Sequence, residues 1–93
     1  MSVSVRIPTI LRTYTGGEAV VDVEPGEATL GGVIDTLESS YPGIKQRLVS
    51  DTGEMRRFIN FYINDDDVRF LEGLATPTPE GVQISIVPAV AGG

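Results

Sequence analysis

One amphipathic stripe stands between two sets of alternating segments, and that arrangement limits the chain to a small number of folds. Leu30, Val33, Ile34, Leu37 and Tyr41 fall at i, i+3, i+4, i+7 and i+11, the spacing that lines one face of an α-helix. Thr29 suits the N-cap of that helix, and Pro42-Gly43 its stop. Gly31 and Gly32 each cost about 1 kcal/mol relative to Ala in a helix, so they predict close backbone packing or a frayed first turn. Ile44 and Leu48 predict a further short helical turn before a polar loop from Ser50 to Glu54.

The segments on either side read as strands. Val3, Val5 and Ile7 alternate with Ser4 and Arg6. Pro8 ends this segment or sets it near a sheet edge, with Ile10 and Leu11 as a continuation. After a turn at Thr15-Gly16-Gly17, alternation resumes with Ala19, Val21 and Val23, which predicts a hairpin closed by Pro25-Gly26. Phe58 to Ile63 is rich in aromatic and β-branched residues, with Ile59, Phe61 and Ile63 on one face and Phe58, Asn60 and Tyr62 on the other. Asn64-Asp65-Asp66 predicts a turn and Asp67-Val68-Arg69 a short returning strand. Leu71 to Pro79 reads as loop, and Val82, Ile84 and Ile86 alternate with Gln83, Ser85 and Val87 as the last strand. The order β-β-α-β-β-β predicts a two-layer α+β domain whose one main helix lies across a mixed sheet. Pairing the first and last strands at its centre gives the β-grasp, or ubiquitin-like, arrangement. Residues 1–87 are expected to form this domain and 88–93 a flexible C-terminal tail.

Composition removes most catalytic chemistry. The 93 residues include neither cysteine nor histidine, so thiol nucleophiles, the usual general base and most transition-metal sites are absent. Neither an enzyme nor a metal or cofactor of its own is expected. Thirteen acidic residues against seven basic ones give a net charge of −6, which disfavours nucleic acid and favours a basic protein partner. The N-terminus lacks the apolar run of a signal peptide and no stretch reaches transmembrane length, so a cytoplasmic protein without membrane attachment is expected.

The sequence ends Pro88-Ala89-Val90-Ala91-Gly92-Gly93. Without a Cβ, two final glycines can enter a channel too narrow for a side chain and leave the terminal carboxylate unhindered. Six extended residues reach roughly 20 Å, far enough to carry that carboxylate into another protein's active site.

Three stretches together carry a family resemblance: Ile7-Pro8-Thr9-Ile10-Leu11-Arg12, the segment from Phe58 to Phe70, and Val87 through Gly93. With the element order, they make the chain similar over its whole length to the ThiS/MoaD-type sulfur carriers of the ubiquitin-like superfamily, and most similar to the CysO branch used for cysteine synthesis. The resemblance implies that an E1-like adenylating enzyme activates the Gly93 carboxylate with ATP and that sulfur then converts it to a thiocarboxylate. Gly92, Ala91 and Val90 would be the tail recognised by partners. It further implies a PLP-dependent cysteine synthase as acceptor of the sulfur, and a zinc metalloprotease that releases cysteine from Gly93. The alternatives are a molybdopterin- or thiamin-pathway carrier, or a ubiquitin-like modifier that forms isopeptide conjugates.

Other features have competing readings. Asn64 to Asp67 could bind a cation but lacks the glycine and distal glutamate of an EF-hand loop, so a solvated turn is expected. Arg56-Arg57 reads as a polar loop end or as a grip on an acidic partner. Lys45 is the single lysine. Phe58 and Tyr62 are candidate docking anchors if they stand on the sheet face away from the helix, or core residues if the loop from Leu71 to Pro79 covers them.

Overall fold

The computed structural model describes residues 2–56 and 58–88. Its strands are Val3–Arg6 (β1), Val20–Val23 (β2), Ile59–Ile63 (β3), Asp66–Asp67 (β4) and Gln83–Pro88 (β5), with helices Leu30–Ser40 (α1) and Lys45–Leu48 (α2) between β2 and β3. The strands form one sheet in the order β2-β1-β5-β3-β4. β1 and β5 pair in parallel at its centre, with Val5 opposite Ile84, while β2, β3 and β4 pair antiparallel with their neighbours. This is the mixed-sheet β-grasp that the alternating segments and single stripe predict.

The two periods meet in the core. Val3, Val5, Val21, Val23, Ile59, Phe61, Ile63, Ile84 and Ile86 are buried together with Leu30, Val33, Ile34 and Leu37 of α1. Tyr41, the last member of the stripe, packs at the edge of that core. Ile44 and Leu48 carry α2 into it as well. The Thr29 Oγ1 accepts a hydrogen bond from the Gly32 N–H at 3.1 Å, capping α1 as expected. Of the two glycines in its first turn, Gly32 answers to close packing: an ideal Cβ there would lie 2.1 Å from the Glu27 carbonyl oxygen, whereas one on Gly31 would meet nothing closer than the Leu74 carbonyl at 3.4 Å.

Beyond α1 the chain turns through Gly43 at φ +99°, a region that L side chains rarely adopt. The Glu38 carboxylate stitches the turn by accepting from the backbone N–H of Gly43 at 3.0 Å and of Lys45 at 2.9 Å. These donors, the Gly43 N–H first, hold the Glu38 carboxyl below its ordinary value of 4.5. A depressed folded-state pKa contributes stability that is complete above about pH 4.5 and is lost as pH falls through the folded value. Glu38→Gln is therefore expected to have a lower thermal midpoint than wild type at pH 7. The gap should narrow in acid below pH 4.5, and a pH-independent gap in melting curves would contradict the assignment.

Four local readings are corrected. Ile10 and Leu11 do not extend β1: Thr9–Leu11 form a 3₁₀ turn after Pro8, which buries Leu11 and exposes Ile10. Of the two readings of Pro8, the end of the segment holds, since β1 stops at Arg6, and the sheet edge does not, since β1 has strands on both sides. The returning strand is only Asp66–Asp67; Val68–Phe70 form a 3₁₀ turn, capped by the Asp67 carboxylate accepting from the Arg69 N–H at 2.8 Å. The stretch from Leu71 to Pro79 is not featureless, since it holds a 3₁₀ turn at Gly73–Ala75 and a bridge between Pro77 and Thr29.

That bridge fixes the loop's path. The Leu30 N–H donates to the Thr76 carbonyl and the Thr78 N–H to the Ala28 carbonyl, which bind the loop to the start of α1. Anchoring leaves one polar atom stranded: Thr78 is fully buried, and its Oγ1 has no hydrogen-bond partner among the described residues. Thr78→Val replaces the stranded hydroxyl with a methyl of similar shape. It is expected to raise stability by about 1 to 2 kcal/mol in chemical denaturation; an equal loss would mean that the hydroxyl is satisfied.

Candidate functional site

β5 determines where any C-terminal chemistry is presented. It runs through the middle of the sheet and takes in Pro88, one residue beyond the boundary read from sequence, with Pro88 opposite Ile59 at the start of β3. Because β1 is parallel to β5, Arg6 at the end of β1 lies opposite Ser85 and at the same end of the molecule. Pro88, the last described residue of β5, thus lies between the end of β1 and the beginning of β3. Gly93, Gly92, Ala91 and Val90, and the tail they belong to, lie outside the described residues.

The loop anchored to α1 decides between the two placements of Phe58. Phe58 is 58% exposed immediately before β3, close in chain to the Ile59–Pro88 pair. Tyr62 is half-buried on the open face, opposite Ser85 of β5 and Asp67 of β4. Phe58 therefore stands beside the exit of β5, whereas Tyr62 lies farther along the strand.

Three grooves flank this end of β5, the third, of about 500 Å³, being lined by Ser50, Glu54, Met55, Arg56, Phe58 and Ile59. The first, of about 320 Å³, is lined by Arg6, Ile7, Pro8, Arg12 and residues 85–87 of β5. In it, Arg12 Nε donates to the Ile7 carbonyl at 3.1 Å. The second, of about 660 Å³, lies between the Thr9–Leu11 turn, α2 and Ile59, and carries Arg47 and Arg56. Arg47 Nε donates to the Tyr14 hydroxyl at 2.8 Å, which raises the guanidinium pKa above its ordinary value, and Arg56 Nε donates to the Gln46 carbonyl at 2.7 Å. Arg69 reaches the Ile59 carbonyl at 2.9 Å and the Asn60 side chain from the neighbouring 3₁₀ turn.

Ile10 and Val87, 62% and 42% exposed, join Phe58 around the exit. Neither was among the sequence candidates. The alternation of β5 places Val87 on the face of Gln83 and Ser85, a signal available in sequence, but Ile10 was hidden by its reading as strand. Away from the exit, Asn64 adopts φ +57° and its side chain accepts from the Gln83 N–H, so the acidic segment is a turn fastened to the opposite end of β5. Among the described residues no helix is long and apolar enough to cross a membrane.

Residues 5–93 match the ThiS family model. The chain is 53% identical to the sulfur carrier protein CysO of Mycobacterium tuberculosis over 95 residues, covering all of both chains. It is 33% identical over 93 residues, again all of both, to small archaeal modifier protein 3 of Haloferax volcanii. Among solved structures it superposes on a chain of the Amycolatopsis orientalis BexX/CysO complex with a TM-score of 0.88 at 53% identity, covering 98% of this chain and 99% of that one. The ThiS match over residues 5–93 and the full-length likeness to CysO, on a β-grasp body, make the chain a member of the ThiS family of ubiquitin-like sulfur carriers.

Proposed function

We propose that the chain carries sulfur on the carboxylate of Gly93 for cysteine synthesis. The observation that carries this reading is the ThiS match, which runs through residue 93, together with full-length identity to CysO. An E1-like enzyme joins the Gly93 carboxylate to the α-phosphate of ATP with loss of pyrophosphate. A sulfur nucleophile then attacks the acyl carbon and AMP departs, leaving the thiocarboxylate. Adenylation is needed because a free carboxylate has no adequate leaving group. The thiocarboxylate sulfur next adds to an aminoacrylate held by a PLP-dependent synthase, and an acyl shift leaves cysteine on Gly93 for a zinc metalloprotease to release. The body contributes recognition rather than catalysis, consistent with a described surface that offers arginines and apolar side chains around β5.

The test is intact-mass spectrometry after incubation with the adenylating enzyme, ATP and sulfide, followed by addition of the synthase and O-phosphoserine. The expected result is an oxygen-for-sulfur mass gain on the carrier and then a cysteine adduct. Thiocarboxylate without the adduct would remove the cysteine assignment and retain the carrier. The relative named as an archaeal modifier favours a second reading, an isopeptide from Gly93 to target lysines. Covalent high-mass conjugates in the native host, with no thiocarboxylate, would establish it instead.

A further inference from the structure

β4 is too short to cover the strand beside it. It pairs only with Tyr62 and Ile63 of β3, so among the described residues no strand lies along the outer edge of β3 at Ile59. A side chain occupies that edge instead. The Arg69 guanidinium donates from Nη2 to the Ile59 carbonyl at 2.9 Å and to the Arg56 carbonyl at 3.4 Å, and from Nη1 to the Asn60 Oδ1. One rigid, planar fork thus grips three points at the entry to β3, with charged donors that bond more strongly than neutral ones. The fork is itself held in place. Asp67 of β4 accepts from the Arg69 N–H at 2.8 Å, and Val68, between them in sequence, is fully buried.

What Arg69 grips is the support for the last residues of β5. Ile59 lies opposite Pro88, and Asn60 opposite Val87. The Ile59 carbonyl points to the outer edge, toward Arg69, so the alternation of an antiparallel ladder leaves the Asn60–Val87 pair to carry the bonds between the strands here. Pro88 has no N–H and donates none. The end of β5, to which residues 89–93 are attached, therefore rests on one pair of residues that Arg69 steadies from the far side of β3.

We propose that Arg69 is a positioning residue: by fixing Ile59 and Asn60 it fixes Val87 and Pro88, and so the point from which the C-terminal residues reach. The consequence for chemistry rests on the carrier reading; the clamp rests on the hydrogen bonds. The five residues after Pro88 reach at most about 17 Å, and loosening Val87 and Pro88 as well would extend this to about 24 Å. The wider search dilutes the Gly93 carboxylate about two- to threefold at any one channel, which raises KM. Once the carboxylate is seated the chemistry is the same, so kcat does not change.

Two measurements on the full chain test this. Amide hydrogen exchange followed by NMR compares wild type with Arg69→Ala: exchange at Asn60 and Val87 is expected to speed up about tenfold or more, and exchange at Val5, in the centre of the sheet, to change far less. Thiocarboxylation by adenylating enzyme from the same organism with ATP and sulfide, read by intact mass, is expected to show a KM for the carrier raised about two- to threefold at unchanged kcat. Gly32→Ala is the control for stability alone, since it crowds the start of α1 and should leave KM at the wild-type value. Arg69→Lys, whose single ammonium cannot span several acceptors, should fall between wild type and Arg69→Ala, and it carries both measurements if Arg69→Ala does not fold. Unchanged exchange at Asn60 and Val87, equal acceleration at Val5, a wild-type KM, or a KM raised as much by Gly32→Ala would overturn the proposal. If wild type gains no sulfur the carrier reading fails, and the exchange measurement decides the clamp.

Discussion

Deleting Gly93, or adding one residue after it, is expected to abolish thiocarboxylation and to leave the unfolding midpoint unchanged. Either change moves the terminal carboxyl carbon by about one residue length, ~3.5 Å, whereas attack on the ATP α-phosphate tolerates misplacement of only about 1 Å. Among the described residues the buried apolar core spans Val3 to Ile86, and the fold is expected to tolerate a change at position 93. Gly93→Ala keeps the carbon in register and adds one methyl to a residue that, on the proposed carrier function, enters a narrow channel, so a partial loss is expected. Mass spectrometry with the adenylating enzyme, ATP and sulfide reads all three variants. A thiocarboxylate on the extended chain would refute the proposal that the enzyme measures the tail to its last carbon.

Gly32→Ala is expected to destabilise the fold by about 2 to 4 kcal/mol, against the gain of about 1 kcal/mol that helix propensity alone predicts. The new Cβ would meet the Glu27 carbonyl oxygen at 2.1 Å and the Glu27 carbonyl carbon at 2.8 Å, atoms of the backbone that no rotamer change can move. That backbone is itself committed: the Glu27 carbonyl accepts from the Thr29 N–H at 2.8 Å, and Thr29 caps the N–H of Gly32. Relieving the clash therefore disturbs the cap as well. Gly31→Ala is the internal control, because its Cβ would meet the Leu74 carbonyl at 3.4 Å, the near limit of ordinary contact. It should be close to neutral or slightly stabilising in urea denaturation. Equal stability of the two variants would show that the close approach at Gly32 is not real.

Charge shows why the surface was less legible than the core. The stripe from Leu30 to Leu37 and the alternation from Ile59 to Ile63 could be read because one side of each element had to be buried, and burial imposes a period on neighbouring residues. Thr9–Leu11 and Val68–Phe70 escaped because a single 3₁₀ turn is too short to show a period, and its apolar residues look like strand ends. Phe58 was undecidable until Thr76 and Thr78 were seen to hold the loop against α1. Arg6, Arg12, Arg47 and Arg56 are scattered along the chain and were averaged into its net charge.

Sequence by itself determined the strands and main helix, their inward faces and the cap at Thr29. Those properties depend on residues within a few positions of one another. Tertiary structure decided what surrounds the exit of β5, because Arg6, Arg56, Phe58 and Val87 become neighbours only through the parallel pairing of β1 with β5 and the antiparallel pairing of β3 with β5. Pairing between segments some 80 residues apart leaves no local period in the chain, so the charge of the surface around the end of β5 follows from topology.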